Sequence, residues 1–168
     1  MIVLARHAVS AALAALLAVV APPAVSAQAA VFVVRHAEKV DESKDPLLSA
    51  KGTARAQALA RHLESAGVKA IYVTEYKRTG LTAAPLAAAL GLKPIVVRAA
   101  DTPALVATIR KDNPADVVLV VGHSNTLPDI LKGLGHPDPV EIGDDEYDSL
   151  FVAVPRTGQP PAVLRLKF

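Results

Sequence analysis

The chain has no cysteine and no tryptophan, a single methionine, and only three phenylalanines and three tyrosines among 168 residues. Without cysteine it can form neither a disulfide nor a thiol-linked lipid anchor. At this length a hydrophobic core can hold a fold without cross-links. An excess of charge of one sign is missing too. Eighteen Lys and Arg against sixteen Asp and Glu leave a net charge of +2. There is no basic stripe and no acidic tail, so nothing in the charge pattern points to nucleic acid. No internal repeat and no low-complexity linker follows residue 30. The longest apolar run, Ala8 to Ala21, is fourteen residues, short of the roughly 20 that span a bilayer.

That run has a different reading. Arg6 precedes it, and the small residues of PPAVSAQA, Pro22 to Ala29, follow it. A charged start, an apolar middle and a small-residue end make a secretory signal. Cleavage after Ala27 places Val25 and Ala27 at the two small positions before the cut; Ala29 is a second choice. An uncleaved anchor is the alternative. The expected organisation is a signal peptide over 1–27 and one domain over 28–168, periplasmic or secreted and without a membrane span in the mature form. Cleavage removes Arg6 and His7, the first of three Arg-His pairs.

Within 28–168, strand and helix signals alternate. Val31 to Val34 is a β-branched apolar run and reads as a buried strand. Ser49 to Gly67 reads as a helix, capped by Ser49 and stopped at Gly67, with Ala56, Leu59, Ala60 and Leu63 on one stripe. Short strands are expected at Ala70 to Val73 and Ile95 to Val97. A helix is expected over Thr79 to Leu90, kinked or weakened by Pro85, and another from Asp101 to about Lys111 with proline in its first turn. Val117 to Val121 is the most apolar strand. A short helix over Leu127 to Leu134 follows, then strands near Leu150 to Val154 and Ala162 to Leu166 around a turn at Gly158-Gln159-Pro160. Repeated strand-helix units imply an α/β fold: a mostly parallel central sheet with helices on both faces, in three layers.

Polar residues cluster just past three of these strands: Arg35-His36-Ala37-Glu38-Lys39, Arg78-Thr79, and Gly122-His123-Ser124-Asn125-Thr126. The carboxyl ends of strands in such a sheet lie on one edge, where ligands bind. Two Arg and two His brought together there make a cationic cradle suited to phosphoryl oxygens. Two His also raise a metal, but the Arg neighbours repel a divalent cation and no acidic ligand cluster accompanies them. A neutral imidazole can attack phosphorus, provided its other ring N–H is fixed, for instance by a backbone carbonyl.

VVRHAEK, DPLLSAKGTARAQALA, IYVTEYKRTGLTAAPLA and VLVVGHSNTLP, in that order, resemble the histidine phosphatase superfamily, from about Val31 to Pro128 and more weakly through EYDSLFVAV. The resemblance implies a phosphoglycerate mutase-like αβα sandwich and a phosphohydrolase needing no metal or other cofactor. It implies that His36 is the nucleophile, that Arg35 and Arg78 clamp phosphate, and that His123 hydrogen-bonds the phosphoryl group. The general acid is where the match fails, because Ser124 stands where one branch has Asp. Asp101 has two readings, proton donor or helix N-cap. Glu38 and Lys39 also have two, contact with substrate or a salt-bridged loop. Ser124 and Asn125 are expected to cap the following helix, Glu75 to lie on the surface, and Arg61-His62, the third pair, to face solvent from a helix. Export argues against a glycolytic mutase and for a phosphorylated small molecule or a cell-envelope phosphate ester as substrate. Two alternatives stand beside a phosphomonoesterase: a phosphohistidine protein phosphatase lacking a general acid, and a non-catalytic phosphate-binding module.

Overall fold

A computed structural model describes residues 29–168; the signal over 1–27 lies outside them. Six strands form one sheet in the order β3-β2-β4-β1-β5-β6. In chain order the elements are β1 (Ala30–Arg35), α1 (Ala50–Leu63), β2 (Val68–Thr74), α2 (Lys77–Leu90), β3 (Ile95–Val97), α3 (Thr102–Asp112), β4 (Val117–Gly122), α4 (Leu127–Leu134), β5 (Ser149–Arg156) and β6 (Gln159–Lys167). The first four strands are parallel, and β5 and β6 add an antiparallel edge. The fold is the three-layer α/β sandwich expected. No helix among the described residues is long and apolar enough to cross a membrane.

The two-residue period of the strands builds both cores. Val34, Val73, Val121 and Leu150 pack under α1 and α2, whereas Val33, Tyr72, Val120 and Phe151 pack under α3 and α4. Both faces of β1 and β4 are therefore buried, which explains their unbroken valine runs. The chain passes from β1 to β2 and β3 through helices on one face, then returns through α3 on the other face to β4, which lies between β2 and β1. The sheet thus changes direction between β1 and β4, and their carboxyl ends open into a cleft.

Boundaries moved where tertiary contacts outweigh local signals. Helix α1 ends at Leu63, with Glu64 as its C-cap, while Gly67, at φ 75°, makes the turn into β2. Helix α2 begins at Lys77 and runs without interruption through Pro85 to a left-handed Gly91 cap. The β5–β6 turn is tighter than expected. Arg156 pairs with Gln159, so Thr157 and Gly158 form the turn and Pro160 and Pro161 lie within β6. Between the Arg156–Gln159 and Val154–Ala162 pairs β6 carries one residue more than β5, so the prolines sit at a bulge of an edge strand, where missing N–H groups are tolerated.

Ser49 caps α1 through a 3.0 Å bond from Gly52 N–H, and its own N–H donates to Glu38 O at 2.9 Å. The start of α1 therefore abuts the segment that follows β1. A Cβ on Gly52 would stand 2.2 Å from Glu38 O and 2.9 Å from Glu38 N. Both are backbone atoms and cannot swing away. Gly52→Ala is expected to lower stability by about 1–3 kcal/mol through overpacking and to displace the backbone next to His36. A denaturation midpoint equal to that of the parent would refute this close approach.

Candidate active site

Pairing of β1 with β4 places Arg35 opposite Gly122, and His36 N–H donates to Gly122 O at 2.9 Å. This register sets the residues after each strand side by side. The rings of His36 and His123 meet edge-to-face with centroids 5.2 Å apart, and both residues are buried. His36 Nδ1 lies 2.8 Å from Ala37 O. A carbonyl only accepts, so Nδ1 carries the proton and Nε2 presents a lone pair. Burial, reinforced by the nearby His123, Arg78 and Arg35, lowers the His36 pKa to about 3, against the carbonyl bond that raises it. The ring is neutral at physiological pH.

The segment after β2 closes the site from the other side. Thr82 Oγ1 accepts from Ala37 N–H at 2.9 Å and donates to Arg78 O at 2.7 Å, which ties the first turns of α2 to the residue after His36. Arg78 Cζ stacks 4.3 Å above the Tyr76 ring, and its Nη2 lies 3.3 Å from His123 Nδ1. A guanidinium can only donate, so Nδ1 accepts and Nε2–H faces Thr74 Oγ1 at 2.9 Å. Burial and the Arg78 charge hold the His123 pKa at about 4. Both nitrogens of the neutral His123 ring are thus engaged within the protein.

Arg35 is held by the long polar loop before β5. Its Nη1 donates to the carbonyls of Gly143 at 2.9 Å, Asp144 at 2.7 Å and Glu146 at 3.2 Å. Its Nη2 reaches Tyr147 Oη at 3.2 Å, and Cζ sits 4.0 Å above that ring. The loop is fixed in turn by Glu146, which Ser149, Arg165 and Lys167 hold to β5 and β6. The Nε–H groups of Arg35 and of Arg78 are buried without an acceptor among the described residues. Arg35, His36, Arg78 and His123 line a common cavity of about 430 Å³. Among the described residues no three His, Asp or Glu side chains converge as metal ligands.

Residues 31–101 match the model of the histidine phosphatase superfamily (branch 1). This match and the folds below support the histidine phosphatase superfamily for the chain. No curated protein matches it. Among solved structures, the protein histidine phosphatase SixA, determined with tungstate, superposes with a TM-score of 0.65 at 16% identity, over 82% of this chain and 96% of its own. A mycobacterial glucosyl-3-phosphoglycerate phosphatase gives 0.66 at 17%, over 83% and 98%. A phosphoserine phosphatase from Entamoeba histolytica, determined with 3-phosphoglyceric acid, gives 0.66 at 14%, over 84% and 98%. At these identities the likeness is one of fold.

Around this cavity the remaining expected residues separate. Lys39 lines the cavity and pairs with Glu42. Glu38 does not line it, and the salt-bridged reading describes it rather than the substrate contact: Arg55 Nε and Nη2 hold its carboxylate at 2.7–3.0 Å, with Lys51 at 3.3 Å. Asp101 lies outside the cavity as well. Its carboxylate caps α3 by accepting from Ala104 N–H at 3.1 Å. Ser124 and Asn125 do not cap α4, which begins at Leu127 with Thr126 in the N-cap position. Thr126 Oγ1 closes the turn by accepting from His123 N–H at 2.9 Å, leaving Ser124 and Asn125 on the cavity wall. Arg61 and His62 are exposed at the end of α1.

Glu75 is exposed, as expected, yet it is the one carboxylate on the cavity wall among the described residues. Its Oε2 accepts from Ala99 N–H at 2.7 Å. Partial burial opposes its ionisation, but its own and the Ala99 backbone N–H groups, with His123 and Arg98, hold its pKa below the usual range. Tyr76 and Tyr147, which flank the two guanidinium groups, are the other site residues that motif spacing does not reveal.

Proposed function

We propose that this chain is a phosphomonoesterase that works through a phosphohistidine on His36. The observation carrying this reading is the 2.8 Å bond of His36 Nδ1 to Ala37 O, which leaves a neutral Nε2 beside Arg78 and His123. Nε2 attacks phosphorus and the ester P–O bond breaks; water then attacks, breaking P–N and releasing phosphate. The two buried Nε–H donors without protein acceptors favour an anion in the cradle. A phosphoryl oxygen entering between Arg78 and His123 replaces their 3.3 Å contact. Nδ1 can then donate to it only when His123 takes up a second proton, which the negative charge of the bound phosphoryl group favours and the empty cradle does not. Nothing in this chemistry calls on a metal.

An alkoxide leaves poorly unless protonated, and Glu75, the carboxylate on the cavity wall, relays that proton. Glu75 enters as a carboxylate with the ester as its monoanion. Their shared proton finishes on the leaving oxygen, and in the second step Glu75 accepts a proton from water. Glu75→Gln is expected to slow an alkyl phosphate by about 10²-fold or more and an aryl phosphate with a good leaving group far less. Equal losses on both esters would remove Glu75 from proton transfer.

The same comparison separates the second reading, hydrolysis of phosphohistidine on a protein, the activity named for SixA. Imidazole departs without an acid, so that substrate would be insensitive to Glu75→Gln. A module that only binds phosphate needs the cations but no fixed imidazole tautomer. Residues 1–27, read as a signal, add export to the periplasm or medium and favour a substrate found there, such as a cell-envelope phosphate ester. Acid-quenched labelling of the protein with a phosphate ester tests the phosphohistidine itself.

A further inference from the structure

The catalytic cavity continues into a larger groove of about 720 Å³ that shares Ala99, Ala100, Asn125 and Thr126 with it. The groove runs between α3 and α4. Its α3 wall is one helical face, Pro103, Val106, Ala107 and Arg110, spaced as residues on a common stripe must be. Gly133 of α4 brings the two helices together. A Cβ there would stand 2.9 Å from Val106 Cγ2, so the small residue lets the groove close beneath.

Polarity changes along its length. Asn125 and Thr126 belong to the catalytic end, Asp129 follows one turn on, and Lys132 lies at the far end beside Arg110. Arg110 spends one donor on Gly133 O at 2.8 Å, which fixes its guanidinium while leaving other N–H groups. From Pro103 to Arg110 the helix advances about 10 Å. The volume lies in the range of small-molecule sites, roughly 300–1,000 Å³, and exceeds what a phosphoryl group needs.

We propose that this groove holds the leaving group of the substrate, a phosphate monoester whose alcohol portion extends about 10 Å from the ester oxygen. Its weakly polar body lies against Pro103, Val106 and Ala107, and a second anionic group at its end meets Arg110 and Lys132. Asp129 disfavours negative charge midway, so the anion belongs at the terminus. This assignment rests on the phosphomonoesterase reading.

The experiment compares three synthetic esters: ethyl phosphate, a long alkyl phosphate, and an alkyl phosphate of the same length ending in a carboxylate. The parent protein is expected to favour the carboxylated ester over ethyl phosphate by at least tenfold in kcat/KM. Ala107→Trp, at an exposed position, fills the groove and should bring that ratio to about one. Lys132→Glu should cut the preference for the carboxylated over the plain long ester by about tenfold. Equal kcat/KM for all three esters in the parent, or a ratio unmoved by either substitution, would overturn the groove assignment and leave the phosphatase reading standing. Hydrolysis of none of them, with no label on His36, would overturn both.

Discussion

His36→Ala is expected to abolish turnover of phosphate esters, by about 10⁴-fold or more, because no neighbouring group can take over attack on phosphorus. His123, the nearest candidate, has Nε2 committed to Thr74 and Nδ1 to Arg78. Acid-quenched protein should carry a phosphoryl label that is acid-labile and base-stable in the parent and missing in the variant. The label should form at pH 5 as well as at pH 7. Burial holds the His36 pKa at about 3, so lowering the pH through 6.5, where an exposed imidazole gains its proton, leaves this ring neutral. Excess chelator should change neither label nor rate. Undiminished turnover by His36→Ala would dispose of the phosphohistidine mechanism, and strict metal dependence would dispose of the metal-free one.

Those four residues were legible because each stands where a strand stops. A buried strand is a run of β-branched residues, and polar residues mark its end: Arg35 and His36 after Val34, His123 after Gly122, and the segment Glu75 to Arg78 after Thr74. Parallel order then requires these ends to share an edge. Partner choice was not legible, because it depends on register and loop path. Arg35 meets carbonyls at 143–146, more than a hundred residues on, and no local pattern links it to Tyr147. Glu75 looked like an ordinary surface carboxylate, and in exposure it is one; only the path of the β3–α3 loop, which presents Ala99 N–H to it, turns it to the cavity. Asp101 shows the opposite limit. Its position after a strand fitted a proton donor, while its sequence context, Asp-Thr-Pro, fitted an N-cap. The local rule describes where the side chain is bound. At β6 it failed: Gln159 and Pro160 looked like turn residues, and a bulge on an edge strand makes the proline acceptable there.

The second large effect separates the two arginines. Arg78→Ala is expected to lower kcat/KM by about 10²–10³-fold with little change in thermal midpoint. The guanidinium is held by stacking on Tyr76 at 4.3 Å and by His123 at 3.3 Å, so its loss strands no buried carbonyl. Arg78→Lys should recover only part of the rate, since an ammonium restores the charge and not the fork. The substitution to Ala also removes a cation that depresses His123. The His123 pKa should therefore rise above about 4, with burial still holding it below the ordinary imidazole value, and any acid limb due to it should move to higher pH, which a pH–rate profile would detect. Arg35→Ala should behave differently. It leaves the carbonyls of Gly143, Asp144 and Glu146 without their donor, at a cost of about 1–3 kcal/mol for each one that stays dry. It should therefore lower the thermal midpoint together with the rate. If both alanine variants lost activity with unchanged midpoints, Arg35 would be acting on substrate alone. If both lost midpoint, Arg78 would be part of the scaffold, and the cradle would rest on the two histidines.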